Sequence, residues 1–195
     1  NQVGFMVCAV GIGSKLAIAG ASAHAFSHII YKGLLWMAAG SVIMQTGKTK
    51  YTQLGGLYYR MPLTCIFALI GALACSSLPF ISGYTTKSII LKALVYEGLY
   101  FPWILLEIAS AGTFLLLGLK FIYFIFFGKD QKLNVTDPNK YMLIAMGSLS
   151  FICIYIGLFP QLLYKYLPYS DYILSKVPYT FTDIYLGNFK KLITK

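Results

Sequence analysis

Apolar residues run through this chain in blocks of membrane-helix length, separated by short polar stretches. A bilayer core about 30 Å thick takes around 20 apolar residues as a helix. On that measure the pattern predicts five or six segments within residues 1–165. The first, 3–14, is short for a crossing, and the second, 17–45, is long. A polar loop, QTGKTKYTQLGGLYYRM at 45–61, follows, with Gly55-Gly56 as turn punctuation. The third segment starts after Pro62 as LTCIFALIGALACSS and stops at Leu78-Pro79. In PFISGYTTK, Pro79 and Gly83 interrupt the helix, and a helical pattern resumes over 85–97. Residues 63–97 thus read as one crossing made of two half-helices around an unwound middle. Irregular backbone at membrane depth is tolerated only where protein or a water-filled cavity covers it. Breaks of this kind point to ion sites in transporters. A further span is predicted at 102–127, then the loop GKDQKLNVTDPNK, then a last span at 141–160 that ends on Pro160. The remainder, with Pro168, Pro178 and many tyrosines, reads as an interfacial or extramembrane tail over 166–195.

Composition supports an all-α integral membrane bundle. Of the 195 residues, 58% are hydrophobic and 11% charged, and the mean hydropathy is +0.70. Soluble domains carry roughly 25% charged residues to cover their surface. The net charge is +10. In a soluble chain that would suggest nucleic acid, but here the basic residues cluster at span ends, where anionic headgroups and membrane orientation account for them. The loops at 45–61 and 128–140 carry Lys48, Lys50, Arg60, Lys129, Lys132 and Lys140, which favours that side as cytoplasmic. Cys8, Cys65, Cys75 and Cys153 all lie in apolar runs without a CxxC or Cys/His ligand spacing, so no disulfide framework, metal site or cofactor is implied. The opening NQVGFMVCAVGIG is already apolar, with neither Met nor a basic leader, and reads as the interior of something longer.

The chemistry concentrates in SAHAFSHIIYKGLLWMAAG at 22–40. It holds the two histidines of the chain, His24 and His28, and Lys32. Residues at i and i+4 share a helix face, so the three form a stripe about 12 Å long. A charge near the bilayer centre costs on the order of 3 kcal/mol or more. Three ionisable groups in register are explained by a hydrated path: imidazole accepts a proton on one nitrogen and donates from the other. The bland reading is a set of buried imidazoles with satisfied partners. Lys87 follows the break and opposes the positive end of a helix dipole. It is either a path residue or a lysine snorkelling to the interface. Lys120 lies deep in the span 102–127 and is a further path candidate, with Glu107 secondary. Lys92 and Glu97 read as snorkelling, and Asp171 and Asp183 as solvated tail residues. The chain shows no phosphate loop, no Ser/His/Asp order, no HExxH and no paired metal carboxylates, so no hydrolase or transferase machinery is visible.

AHAFSHIIYKGLLWMAAGSVI resembles the H-x-x-x-H-x-x-x-K-A-L-L-F segment of the antiporter-like, proton-translocating membrane subunits. These include the D subunit of multisubunit Mrp-type sodium/proton antiporters and the large antiporter-like subunits of respiratory complex I. GGLYYRMPLTCIFALIGALACSSLPFISGYTTK resembles that family's G-G-L-x-x-x-M-P…L-P-x-x-S-G-F-x-S-K stretch, and NQVGFM its S-Q-x-G-Y/F-M. ASAGTFLLLGLKFIYFIFFGKD looks most like the Mrp D branch. The resemblance covers 1–165 and implies the second of two inverted repeats, each with one broken helix and a half-channel of Lys, His and Glu. It implies that His24, His28 and Lys32 lie on the central-axis helix and Lys87 on the broken helix, with Lys32 as central relay. Thr86 and Ser88 flank Lys87, where the family often has Ser before the lysine and complex I members have Asp or Glu after it. That departure suits the Mrp-like branch. The first repeat is absent, so the chain corresponds to the C-terminal half of such a subunit, as a fragment or a split gene. The implied function is cation/proton antiport in a multisubunit Mrp-type complex. Its partners are then other subunits, the lipid bilayer, protons and, in the antiporter branch, sodium; nucleic acid is not one. The alternatives are a proton-pumping subunit of NADH:quinone oxidoreductase, which alone would make it part of a translocase enzyme, and a non-functional remnant. A bacterial inner membrane fits better than a mitochondrial one.

Overall fold

In the computed structural model, which describes residues 1–177, the chain is a bundle of helices with no strand among the described residues. The first helix, α1 (Gln2–Ile12), ends on Gly13 in the left-handed conformation. Ser14 then caps α2 (Lys15–Thr46), its hydroxyl accepting from the Ala17 N–H at 3.4 Å. With only two residues between them, α1 folds back along α2, so Gln2 reaches the level of His24 and Tyr31. The predicted segment at 17–45 is this 32-residue helix, roughly 48 Å long at 1.5 Å per residue. It is the axis of the bundle: α1 and most of the longer helices that follow pack on it.

Helix α3 (Pro62–Cys75) begins with proline, whose missing N–H suits a first turn. Its remaining N-terminal donors are met from a distance. Asp137, in the loop before the last span, accepts from the N–H groups of Leu63 (3.3 Å) and Thr64 (3.1 Å) and from the Thr64 hydroxyl (2.8 Å). The chain then unwinds and resumes as α4 (Ser82–Tyr96). At roughly 21 and 23 Å, neither helix alone crosses a bilayer core, so together they make the predicted discontinuous crossing. The second half starts at Ser82, three residues earlier than the sequence pattern suggests. Gly83 does not break the helix. It lies inside it, against the Ala74 carbonyl, where any Cβ would collide. Ser77 (φ 60°) and Phe80 (φ 71°) hold left-handed backbone in the break, a conformation that costs a non-glycine residue about 1–3 kcal/mol.

The next span, α5 (Tyr100–Phe127), is α-helical to Thr113 and mostly π-wound beyond it. It packs on α3 and α4 at one edge of the bundle and leaves most of its surface exposed. Helix α6 (Lys140–Leu158) packs against α2, α3 and α4, and its Gly157 presses on the backbone of Phe80 and Ile81, closing the break from the other side. Two short helices, α7 (Pro160–Lys165) and α8 (Ser170–Lys176), follow. Leu163 and Tyr164 before the expected tail are buried, and within it Ile173 and Val177 are buried while Tyr166, Tyr169, Asp171 and Tyr172 are exposed. The rest of the expected tail, with Asp183, Lys190, Lys191 and Lys195, lies outside the described residues. Cys65, Cys75 and Cys153 are buried free thiols, and Cys8 is half-buried.

Candidate functional site

The site is assembled where α1, α2, α3 and α4 meet at the helix break. Unwinding after Cys75 frees carbonyls that a continuous helix would have used internally, at the negative end of the α3 dipole. The Cys75 carbonyl accepts from the Lys87 ammonium (3.1 Å) and from the Gln2 amide nitrogen (3.2 Å). Lys87 is 2% exposed, so it does not snorkel to an interface. Its other contacts are the Ser110 hydroxyl at 3.4 Å and the Phe5 ring, whose centroid is 5.0 Å from the ammonium. That distance is within cation–π range.

His24 is fully buried, and both its ring nitrogens are engaged. Nε2 is 3.0 Å from the Gln2 amide oxygen, and Nδ1 is 3.0 Å from the Thr86 hydroxyl. The Gln2 amide orientation follows from its other bond, since only its NH₂ can donate to the Cys75 carbonyl. The Gln2 oxygen also accepts from the Tyr31 hydroxyl at 3.3 Å. Gln2 therefore ties His24 and Tyr31 on α2 to the carbonyl that holds Lys87 on α4.

His28 is half-buried, and its ring centroid is 6.4 Å from that of His24. Tyr31 packs edge-on to His28 at 5.4 Å. His28 and Lys32 line a cavity of about 350 Å³ with Gln2, Cys75, Thr113 and Leu117. Lys32 also stands 5.5 Å from the Trp36 ring. Lys87 lines a second cavity, of about 360 Å³, walled by Ser77, Tyr84, Ser88, Glu107 and Ser110. Cys75 connects the two: it borders the first cavity and its carbonyl holds the lysine of the second.

The structure thus sorts the residues singled out by sequence into three places. His28 and Lys32 share one cavity, Lys87 and Glu107 share the other, and His24 sits in the hydrogen-bonded wall near both. Both ring nitrogens of His24 are bonded to residues of other helices, Gln2 on α1 and Thr86 on α4. Glu107 lines its cavity and is itself exposed. Lys120, expected deep in the path, is exposed on α5: Leu117 and Phe121 take the face toward Lys32, which leaves Lys120 pointing elsewhere. Gln2, Tyr31 and the Cys75 carbonyl were not singled out by sequence. Gln2 carried a signal, a polar residue in an apolar opening helix, and such residues are costly in a membrane unless they have partners. Nothing local marks a backbone carbonyl.

The profile of the family described as "NADH:quinone oxidoreductase/Mrp antiporter, TM" matches residues 1–115. The chain belongs to this family. Among its relatives, the D subunit of the Na(+)/H(+) antiporter of Alkalihalophilus pseudofirmus is 31% identical over 185 residues, covering 92% of this chain and 37% of that protein. The NADH-ubiquinone oxidoreductase chain 5 of Dictyostelium citrinum is 32% identical over 166 residues, covering 80% and 24%. The solved archaeal membrane-bound sulfane sulfur reductase contains a chain that superposes with a TM-score of 0.80 at 29% identity, covering 92% of this chain and 29% of that one. Antiporter subunits and a complex I chain thus both match at similar identity. This chain spans 17–37% of the length of the curated relatives it matches. The matched region holds every residue of the His24–Gln2–Cys75–Lys87 network.

Proposed function

We propose that this chain carries protons across one half of a cation/proton antiporter subunit, within a multisubunit membrane complex. The single observation behind this is the buried Lys87 ammonium on the Cys75 carbonyl, tied through Gln2 to a fully buried His24. A structural role gives little reason to bury a lysine in a membrane bundle. A role in charge transfer requires one. In this reading protons reach the His28–Lys32 cavity, cross the wall at His24 and Gln2, and leave from Lys87 through the cavity beside Glu107. Lys32 serves as the relay, and Lys120 joins the path only by serving a surface covered by another subunit. The membrane is a bacterial plasma membrane, and sodium is the exchanged cation.

The test is proton flux in inverted vesicles from cells making the complete complex. Lys32→Ala and Lys87→Ala are expected to lower sodium-driven proton exchange at least tenfold while the complex still assembles. Exchange at the native rate in either variant would defeat the reading. A second reading, proton pumping by a complex I subunit, has the chain 5 relative at equal identity in its favour. Under it the same substitutions remove proton uptake driven by NADH oxidation and leave no sodium-driven exchange to lose.

A further inference from the structure

The cavity beside Lys87 carries more oxygen than a proton exit needs. The end of α3 supplies Ser76 and Ser77, α4 supplies Ser88, and α5 supplies Ser110 and the Glu107 carboxylate. The hydroxyl hydrogens of Ser76 and Ser88 are already given to carbonyls one turn back, those of Ala72 and Tyr84. Lone pairs are what these two oxygens have left to offer the cavity. The Ser110 oxygen accepts from the Lys87 ammonium. The Ser77 oxygen is buried and has no hydrogen-bond partner among the described residues. Acceptor oxygens gathered around a carboxylate are the donor set of a hard cation. The negative end of the α3 dipole lies at the same place. Ends of half-helices beside unwound backbone are where transporters coordinate sodium. In this structure the Lys87 ammonium takes that end, through the Cys75 carbonyl.

We propose that this cavity is a sodium site, in which a sodium ion on Glu107 and the serine oxygens takes the place of the Lys87 proton. This rests on the exchange proposed above and locates the point where the two ions compete. With Lys87 charged, its ammonium and the Glu107 carboxylate balance. Sodium added to that pair would leave a net positive charge inside a membrane bundle, which is disfavoured. With Lys87 neutral, sodium and the carboxylate balance again. One proton therefore leaves for each sodium bound. An N–H bond of the ammonium breaks, its electron pair stays on nitrogen, and water at the mouth of the cavity, beside the exposed Glu107, takes the proton. Sodium arrives from the side to which the proton leaves, as exchange requires. The titratable groups facing Lys87 are Glu107 on α5, Cys75 on α3, His24 on α2 and Tyr84 on α4, with Phe5 and Gln2 of α1 neutral.

The experiment is equilibrium binding of radioactive sodium, added as sodium chloride, to the purified complete complex, beside sodium-driven proton exchange in vesicles. Binding is read between about pH 7 and about pH 9, above the range in which a carboxylate titrates. While Lys87 is charged, sodium should bind about tenfold more weakly for each unit the pH falls. Lys87→Met has no proton to displace and should bind sodium equally well across that range. Glu107→Gln should raise the half-saturating sodium at least tenfold, and Ser88→Ala at least threefold. Glu107→Gln within twofold of native overturns the proposal, as does Lys87→Met binding sodium with the native pH dependence. Should Glu107→Gln fail to assemble, Ser88→Ala decides by the same twofold limit. The two levels separate: native exchange in Lys32→Ala sinks the path itself, whereas a dead Lys32→Ala beside unchanged sodium binding in Glu107→Gln sinks only the sodium site.

Discussion

At the residue scale, the two most telling side chains are an amide and an ammonium that share one carbonyl. Burying Lys87 is a stability cost that the Cys75 carbonyl, Ser110 and Phe5 only partly offset. Lys87→Met, similar in volume and uncharged, is therefore expected to leave Tm equal or higher while flux falls at least tenfold. A thermal melt of the purified complex beside a flux assay checks both halves. Gln2→Leu removes the acceptor that fixes the His24 tautomer and leaves the Nε2 hydrogen without a partner in a fully buried site. A buried donor left unsatisfied costs about 1–3 kcal/mol, so this variant should lose both stability and flux, in contrast to Lys87→Met. The histidines, Lys32 and Lys87 were legible in the sequence because ionisable groups stand out against an apolar background. Gln2 was legible only as a polar residue in an apolar helix, because an amide shows no particular role until its partners from α2 and α3 are known.

At the element scale, the broken crossing is held by close backbone contacts. Gly83 sits against the Ala74 carbonyl, and Gly157 of α6 against Phe80 and Ile81. Gly83→Ala must push the start of α4 off the end of α3, and overpacking of this kind costs about 1–3 kcal/mol. The expected outcome is a lower Tm together with lost flux, since the Cys75–Lys87 geometry depends on that approach. At the other end of α3, Asp137 acts as a cap borrowed from a loop 73 residues away. Asp137→Ala is expected to lower stability by about 0.5–2 kcal/mol, the usual range for a lost N-cap. Because that end is far along α3 from Cys75, flux should fall no more than the amount of assembled protein does. Pro79 announced the break in the sequence. The part played by Gly83 was hidden, because a glycine that breaks a helix and one that admits a neighbouring backbone look the same in one dimension.

At the scale of the whole molecule, the bundle places two cavities on either side of a hydrogen-bonded wall, one beside His28 and Lys32 and the other beside Lys87 and Glu107. If these cavities hold water in the membrane, a cysteine facing one should react with a charged methanethiosulfonate. In a cysteine-free background Ser110→Cys is expected to label and Ser150→Cys, buried between α6 and its neighbours, is not. Equal labelling of the two would remove the hydrated cavity from the picture. The sequence alone determined the class, the spans, the break and the stripe of ionisable groups, because apolar length and helical periodicity are local properties of the chain. Only the tertiary structure decided that His24 is bonded to α1 and α4 rather than to the next imidazole. It also turned Lys120 outward, and it made a free carbonyl at the end of α3 the holder of Lys87. Those outcomes depend on which faces of separate helices meet, and periodicity along one helix carries no information about its neighbours.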